Sequence, residues 1–586
     1  MVVHEQHDEI RARRGEPPME LVEAAVQPVP PLGHRHLGPS RDERRVGRGE
    51  RRDDLGHGPR SLARLVPVRN GTMRSVSRPM ARWVSALVLV STLGGAPAAA
   101  TAGPDAQMTW AVHVSLAPTW FDPAETPGVI TPFMFLYALH DALVKPMPGN
   151  PMAPSLAESW SASRDGLTYE FALRKGVRFH NGDLLTADDV KFSFERYRGA
   201  GASTLKARVV SVEAVDASRV RFRLRQPWPD FMTFYGTPAT GAAWVVPRKY
   251  VERVGDDGFK KAPVGAGPYR FVSFTPGVEL VLEAFEQYWR KTPSVKRLVL
   301  KAVPDEATRL AMLKRGEADI AYSIRSALAE ELQRTPGLTL KPTSPTFTEW
   351  LVFTEQWEPK SPWADRRVRL AVNLAVDRKS ISDAEYLGFA KISSGIIPRD
   401  FEFSWAAPPY PYDPATARQL LAEAGYPRGF DAGDVFSDNV YVPEAIVNYL
   451  QAVGIRARLR PLERAAFYKA DQEKKLRGLV RVGSAAFGNA ATRIEAFVVS
   501  GGIRAYGGYP DIDGLYREQA GELDPKKREA ILHRIQQLMH ERVMFAPIIE
   551  PAFLSGQGPR VGESGFGRIV GAPYSLPYED LTLRAR

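Results

Sequence analysis

The stretch from Leu156 to Tyr197 constrains this chain most, because strand, turn and helix signals agree along it without interruption. Tyr169, Phe171 and Leu173 alternate with Thr168, Glu170 and Ala172, the period of a strand with one buried face. Arg174-Lys175-Gly176 closes that run, and Asn181-Gly182 supplies a second turn. Thr186 stands three residues before Asp189, the spacing of a capping box, and Val190, Phe194 and Tyr197 recur on one helical face. A chain that places strand, turn and capped helix so close together must bury them as layers of sheet and helix.

The same rhythm runs on. Trp110 to Leu116 reads as a strand, Thr131 to Leu143 as a helix, and Asp305 to Arg315 as a helix stopped by Gly316 before the strand Ala318 to Ala321. Leu338 to Phe353 holds two extended apolar runs split by Pro342 and Pro345. Trp363 to Asp377-Arg378 is an amphipathic helix whose arginines belong on the solvent face. Asp413-Pro414 caps a helix from Ala415 to Ala424 that Gly425 ends. Pro443 to Val453 and Ile455 to Leu459 form a further helix and strand, and Asp524-Pro525 caps a last helix burying Ile531, Ile535, Leu538 and Met539. This alternation predicts an α/β fold, and 586 residues at 44% hydrophobic content suffice for two packed cores.

Leu-Ala-Glu-Ser-Trp at 156–160, Asp-Gly-Leu-Thr-Tyr at 165–169, Leu-Arg-Lys-Gly-Val-Arg-Phe-His-Asn-Gly at 173–182 and Leu-Thr-Ala-Asp-Asp-Val at 185–190 resemble the signature region of bacterial extracellular solute-binding proteins of family 5. That is the peptide- and nickel-binding class serving ABC importers. Pro263 to Phe271 resembles the family's Gly-Thr-Gly-Pro-Tyr turn, with Ala266 in place of Thr. The resemblance implies a bilobal periplasmic-binding-protein fold of the large class, with an extra subdomain in lobe one and two lobes joined by crossing strands. Lobe one would comprise 103–343 and a return segment 546–586, and lobe two 344–545. The implied function is a periplasmic receptor that closes on a peptide-like or other small organic solute and delivers it to an ABC permease in the inner membrane. It would act as a monomer, without cofactor or metal. A secreted hydrolase and a soluble chemoreceptor partner on the same fold are the alternatives.

Residues 1–72, rich in Arg, Pro and Gly and without an apolar period, are expected to be disordered or a mis-started upstream segment. Met73 then opens Arg74, Arg78 and Arg82, an apolar run from Trp83 to Leu93 and the small residues Ala98 to Ala102. This is the layout of a secretory signal peptide over 73–102. With no cysteine in the chain to carry a lipid, the expected product is free in the periplasm, and there is neither a disulfide framework nor a thiol nucleophile. The net charge of +11 falls to about +6 beyond residue 102, which argues against a nucleic-acid partner. Arg219, Arg221, Arg223 and Arg225 alternate with Val220, Phe222 and Leu224 and read as one solvated strand face.

Catalytic patterns do not assemble. Gly483-Ser484-Ala485-Ala486 breaks the nucleophile-elbow spacing, and His4-Glu5-Gln6-His7 has the wrong spacing for a zinc protease. His113, His140, His180, His533 and His540 are scattered. The glycines of 263–271 lead into a strand, whereas a phosphate loop must open a helix. The ligand-binding candidates are therefore Trp120, Glu349, Trp350, Trp405, Phe487, Asn489 and Tyr506. Trp120 stands either to stack on a ligand or to pack between strand and helix. Peptide binders of the family carry an aspartate for the peptide amine near 479–497, but here no acid occurs before Glu495. Either the ligand lacks a free α-amine, as a nickel chelate, opine- or sugar-like solute would, or Glu349 or another acid supplies the charge from a different direction.

Overall fold

The computed structural model describes residues 105–126, 130–237, 240–439, 441–485 and 488–584. The upstream segment, the signal peptide and the His4–His7 pair lie outside these residues.

Two mixed sheets organise the chain. One has seven strands in the order Tyr269–Thr275, Glu279–Ala284, Val295–Ala302, Asp105–Val112, Ile320–Ala321, Phe553–Gln557 and Thr339–Thr343. The other has six, in the order Lys391–Ile392, Phe545–Glu550, Thr348–Phe353, Leu479–Ser484, Phe430–Ser437 and Ile455–Pro461. The chain passes from the first sheet to the second between Thr343 and Thr348, and returns between Glu550 and Phe553. The return expected at 546 thus falls after Glu550, because Phe545–Glu550 pairs with Thr348–Phe353 inside the second sheet. Each sheet carries its own helices, giving the two lobes of a bilobal periplasmic-binding-protein fold.

The stretch from Leu156 to Tyr197 forms part of a separate four-stranded sheet in lobe one. Its order is Ala157–Ala162, Thr168–Leu173, Arg219–Leu224 and Val209–Asp216. Tyr169, Phe171 and Leu173 are buried, as the alternation requires. Asp189 accepts from the backbone N–H of Thr186 at 2.8 Å and starts the helix Ala187–Arg196. The arginine face is solvated and laced to acids, with Arg221 on Glu170 and Arg223 on Glu213, each at 2.7 Å.

Two local differences carry physical reasons. The helix expected over 131–143 spans Phe133–Leu139, because His140 turns extended and the chain pairs at once as Asp141–Ala142. Arg369, expected on the solvent face of its helix, is buried. Its guanidinium donates to the carbonyls of Val543 (2.9 Å), Trp363 (2.7 Å), Ala364 (2.9 Å) and Arg542 (2.7 Å). Two of these acceptors end the helix Pro525–Glu541, where unpaired carbonyls and the helix dipole both favour a cation.

Candidate functional site

Both lobes present the carboxyl ends of parallel strands to a common cleft, which is where open α/β sheets hold ligands. In lobe one the strand Asp105–Val112 runs parallel to its neighbours and ends two residues short of Val114. His113 and Val114 therefore project into the cleft, and Ser323 and Arg325 follow the adjacent strand Ile320–Ala321. In lobe two Asp438 and Asn439 follow Phe430–Ser437, and Ser484 and Ala485 close the parallel strand Leu479–Ser484. Together they enclose a cavity of about 460 Å³.

Its charged centre comes from strand pairing. Thr348–Phe353 lies antiparallel to Leu479–Ser484 with Glu349 opposite Gly483 and Leu351 opposite Arg481. Side chains on a strand alternate between faces, so Glu349 and Arg481 share the cleft face while Trp350 and Val482 share the other. Glu349 and Arg481 form a buried ion pair, and Arg481 also reaches Asp438 at 3.1 Å. Burial by itself would favour the neutral guanidine. Glu349 and Asp438 outweigh it and hold Arg481 above its ordinary pKa. Glu349 is only 4% exposed, yet its Oε2, like Arg481 Nε, has no hydrogen-bond partner in the protein. A buried carboxylate oxygen left bare is costly unless something else meets it.

The remaining wall is aromatic and cationic. Arg325 lies 3.9 Å above the ring of Tyr441 and 3.5 Å from Glu306, with its Nε unpartnered. Arg504 lies 4.6 Å from the ring of Tyr468 and 3.7 Å from Asp471. His113 Nε2 and Tyr574 Oη are 3.1 Å apart on the lobe-one side. Arg325 meets Glu306 and Arg504 meets Asp471, while Glu349 and Asp438 both meet Arg481.

The residues singled out from sequence fall in different places. Glu349 lines the cavity. Trp350 is fully buried behind the sheet, edge-on to Phe497 at 5.1 Å. Trp120 stacks on Phe135 at 6.1 Å within lobe one. Trp405 packs against His540 at 5.9 Å on lobe two, away from the cavity. Asn489 caps the helix Ala490–Phe497 and donates to Asp230 of lobe one at 2.6 Å. The Tyr506 hydroxyl donates to Asp471 at 3.1 Å. Phe487 lies outside the described residues. His113, Arg325, Asp438, Tyr441 and Arg481 were not among the candidates. For Arg481 the signal was present, since a single charge interrupts the apolar run Leu479-Val480-Arg481-Val482. Among the described residues no group of three His, Asp or Glu could hold a metal, and no helix is long and apolar enough to cross a membrane.

Two lobes, two crossings and a cavity between them define a solute-binding protein of the periplasmic type. Residues 151–504 match the family "Bacterial extracellular solute-binding proteins, family 5 Middle", and the chain belongs to that family. It is 28% identical over 447 residues to the glutathione-binding protein GsiB of Salmonella choleraesuis, covering 73% of this chain and 85% of the relative. It is 28% identical over 446 residues to heme-binding protein A of Haemophilus influenzae, covering 70% and 80%. The crystal structure of NikA from Brucella suis in complex with Fe(III)-EDTA superposes with a TM-score of 0.73 at 23% identity, over 82% of this chain and all of that one. The chain is thus a solute-binding receptor of the ABC-importer class, in a family whose members bind peptides or small ligands and work with ABC permeases.

Proposed function

We propose that the solute is an organic cation or zwitterion of peptide size, whose positive group pairs with Glu349. The bare, buried Oε2 of Glu349 carries this reading. Arg481 is shared between Glu349 and Asp438, so a ligand ammonium beside Glu349 adds a counter-charge without displacing the pair. Arg325, on the opposite lobe, lines the same cavity and supplies a cation for a carbonyl or carboxylate of the same molecule. A ligand touching both lobes is bound more tightly in the closed form, and that difference drives closure. The missing aspartate near 479–497 is then compensated from the neighbouring strand. The name of GsiB, for glutathione, supports a zwitterionic organic ligand of peptide size.

The protein works as a monomeric periplasmic receptor, exported by the signal at 73–102 and delivering its solute to an inner-membrane ABC permease. The three-part layout of that segment supports export. N-terminal sequencing of the mature protein checks it: a start at Thr101 or Gly103 is expected, and a start at Met1 contradicts it.

Native mass spectrometry of protein taken from its own periplasm tests the ligand. Wild type is expected to retain a small molecule bearing a basic nitrogen, and Glu349→Gln to lose it. Retention of an uncharged or purely anionic ligand by both would contradict the proposal.

A further inference from the structure

A second cavity, of about 870 Å³ against about 460 Å³ for the first, adjoins the charged one. Ile130, Ala485 and Tyr574 line both, so the two lie side by side. Its character is different. Met147 and Met152 enter from the hairpin Val144–Met147 and Asn150–Pro154, Met232 from the helix Phe231–Gly236, and Ile569 and Ala572 from the C-terminal segment. Three of the chain's twelve methionines thus line this one wall. Unbranched thioethers fit irregular apolar shapes and tolerate variation in them. The charged residues here, Arg399, Asp400 and Glu402, are exposed and belong to lobe two. Arg399 is already held by Glu550 at 2.9 Å.

We propose that this compartment receives an apolar extension of the same solute whose cationic head sits at Glu349, so that the receptor selects amphiphilic ligands by their tails. The proposal rests on the head assignment made above. It goes further in naming Met147, Met152, Met232 and Ile569 as the residues that set tail selectivity. A charged compartment fixes one end by pairing, and an adaptable apolar one accepts the other by burial, without demanding a single side-chain shape. The shared chemistry is an ammonium head joined to an apolar chain. That chain comes either from successive apolar side chains of a peptide or from an alkyl tail.

Calorimetry on the full mature protein distinguishes these sources, using triglycine, trileucine and octylamine as probes. Trileucine, octylamine or both are expected to bind at least tenfold tighter than triglycine. Preference for trileucine assigns a peptide, and preference for octylamine an alkyl chain. Met232→Asp is expected to erase that preference, and Ala572→Trp, which fills the compartment instead of charging it, is expected to do the same. Equal affinity for triglycine and the two apolar probes overturns the proposal, as does a preference that both variants leave intact, or failure of both apolar probes to bind. Glu349→Gln separates the two readings. If it weakens neither apolar probe while Met232→Asp weakens them, the tail compartment stands and the head assignment falls.

Discussion

His140 is a residue whose chemistry is fixed by its surroundings. It is fully buried, its Nε2 lies 2.8 Å from the Phe121 carbonyl, and Nδ1 has no partner. Burial pushes its pKa down from 6.5 to about 4, against the opposing pull of the Phe121 carbonyl. The folded protein therefore binds fewer protons here than the unfolded chain between those values. Stability from this group is complete above pH 6.5 and is lost as pH falls toward 4, by on the order of 3 kcal/mol in all. Urea denaturation at pH 7 and pH 5 is expected to show the loss, with a smaller difference in His140→Gln; an unchanged difference would contradict it. The cleft turns on residues as local as this. Glu349 and Trp350 are neighbours that both looked suited to a ligand, yet strand alternation sends one to the cavity and the other behind the sheet. That much was legible from the period of Thr348–Phe353, but the direction in which the period was set was not, because both faces of this strand are buried.

Among elements, the turn Pro263–Phe271 shows what its glycines do. Gly267 donates to the Leu139 carbonyl at 3.1 Å, and Gly265 accepts from His180 at 2.9 Å, so the turn lies flat against the end of the helix Phe133–Leu139. A Cβ on Gly265 would press on the Leu139 carbonyl oxygen and on His140. Gly265→Ala is expected to cost roughly 1–3 kcal/mol by overpacking, read as a lowered thermal midpoint; an unchanged midpoint would contradict the close approach. Caps and stops were readable from sequence because their interactions are local: Asp413 and Asp524 each cap the helix expected of them, and Asp305, expected as a first helical residue, caps its helix. Arg369 was not readable, since the carbonyls it serves at Arg542 and Val543 lie far along the chain and only the packed fold brings them near. Arg481 and Asp438 met for the same reason, through the pairing of Leu479–Ser484 with Phe430–Ser437.

At the scale of the whole molecule, contacts between lobes away from the crossings bear on closure. Asp230 of lobe one pairs with Arg528 and accepts from Asn489, both of lobe two, and Arg208 meets Glu495 at 2.6 Å. These contacts exist only while the lobes are together, so weakening them shifts population toward the open form. Asp230→Asn combined with Glu495→Gln is expected to enlarge the ligand-free radius of gyration in X-ray scattering and to raise Kd; an unchanged radius and Kd would contradict a closing role. The central claim remains that Glu349 meets a cation of the solute. A double-mutant cycle by calorimetry tests it most directly, comparing wild type and Glu349→Gln against trileucine and N-acetyl-trileucine. Acetylation and substitution are each expected to weaken binding by about 100-fold, with little further loss when combined, as for two halves of one buried charge pair. Independent, multiplying losses, or an acetylated peptide bound by wild type as tightly as the free amine, would contradict the account.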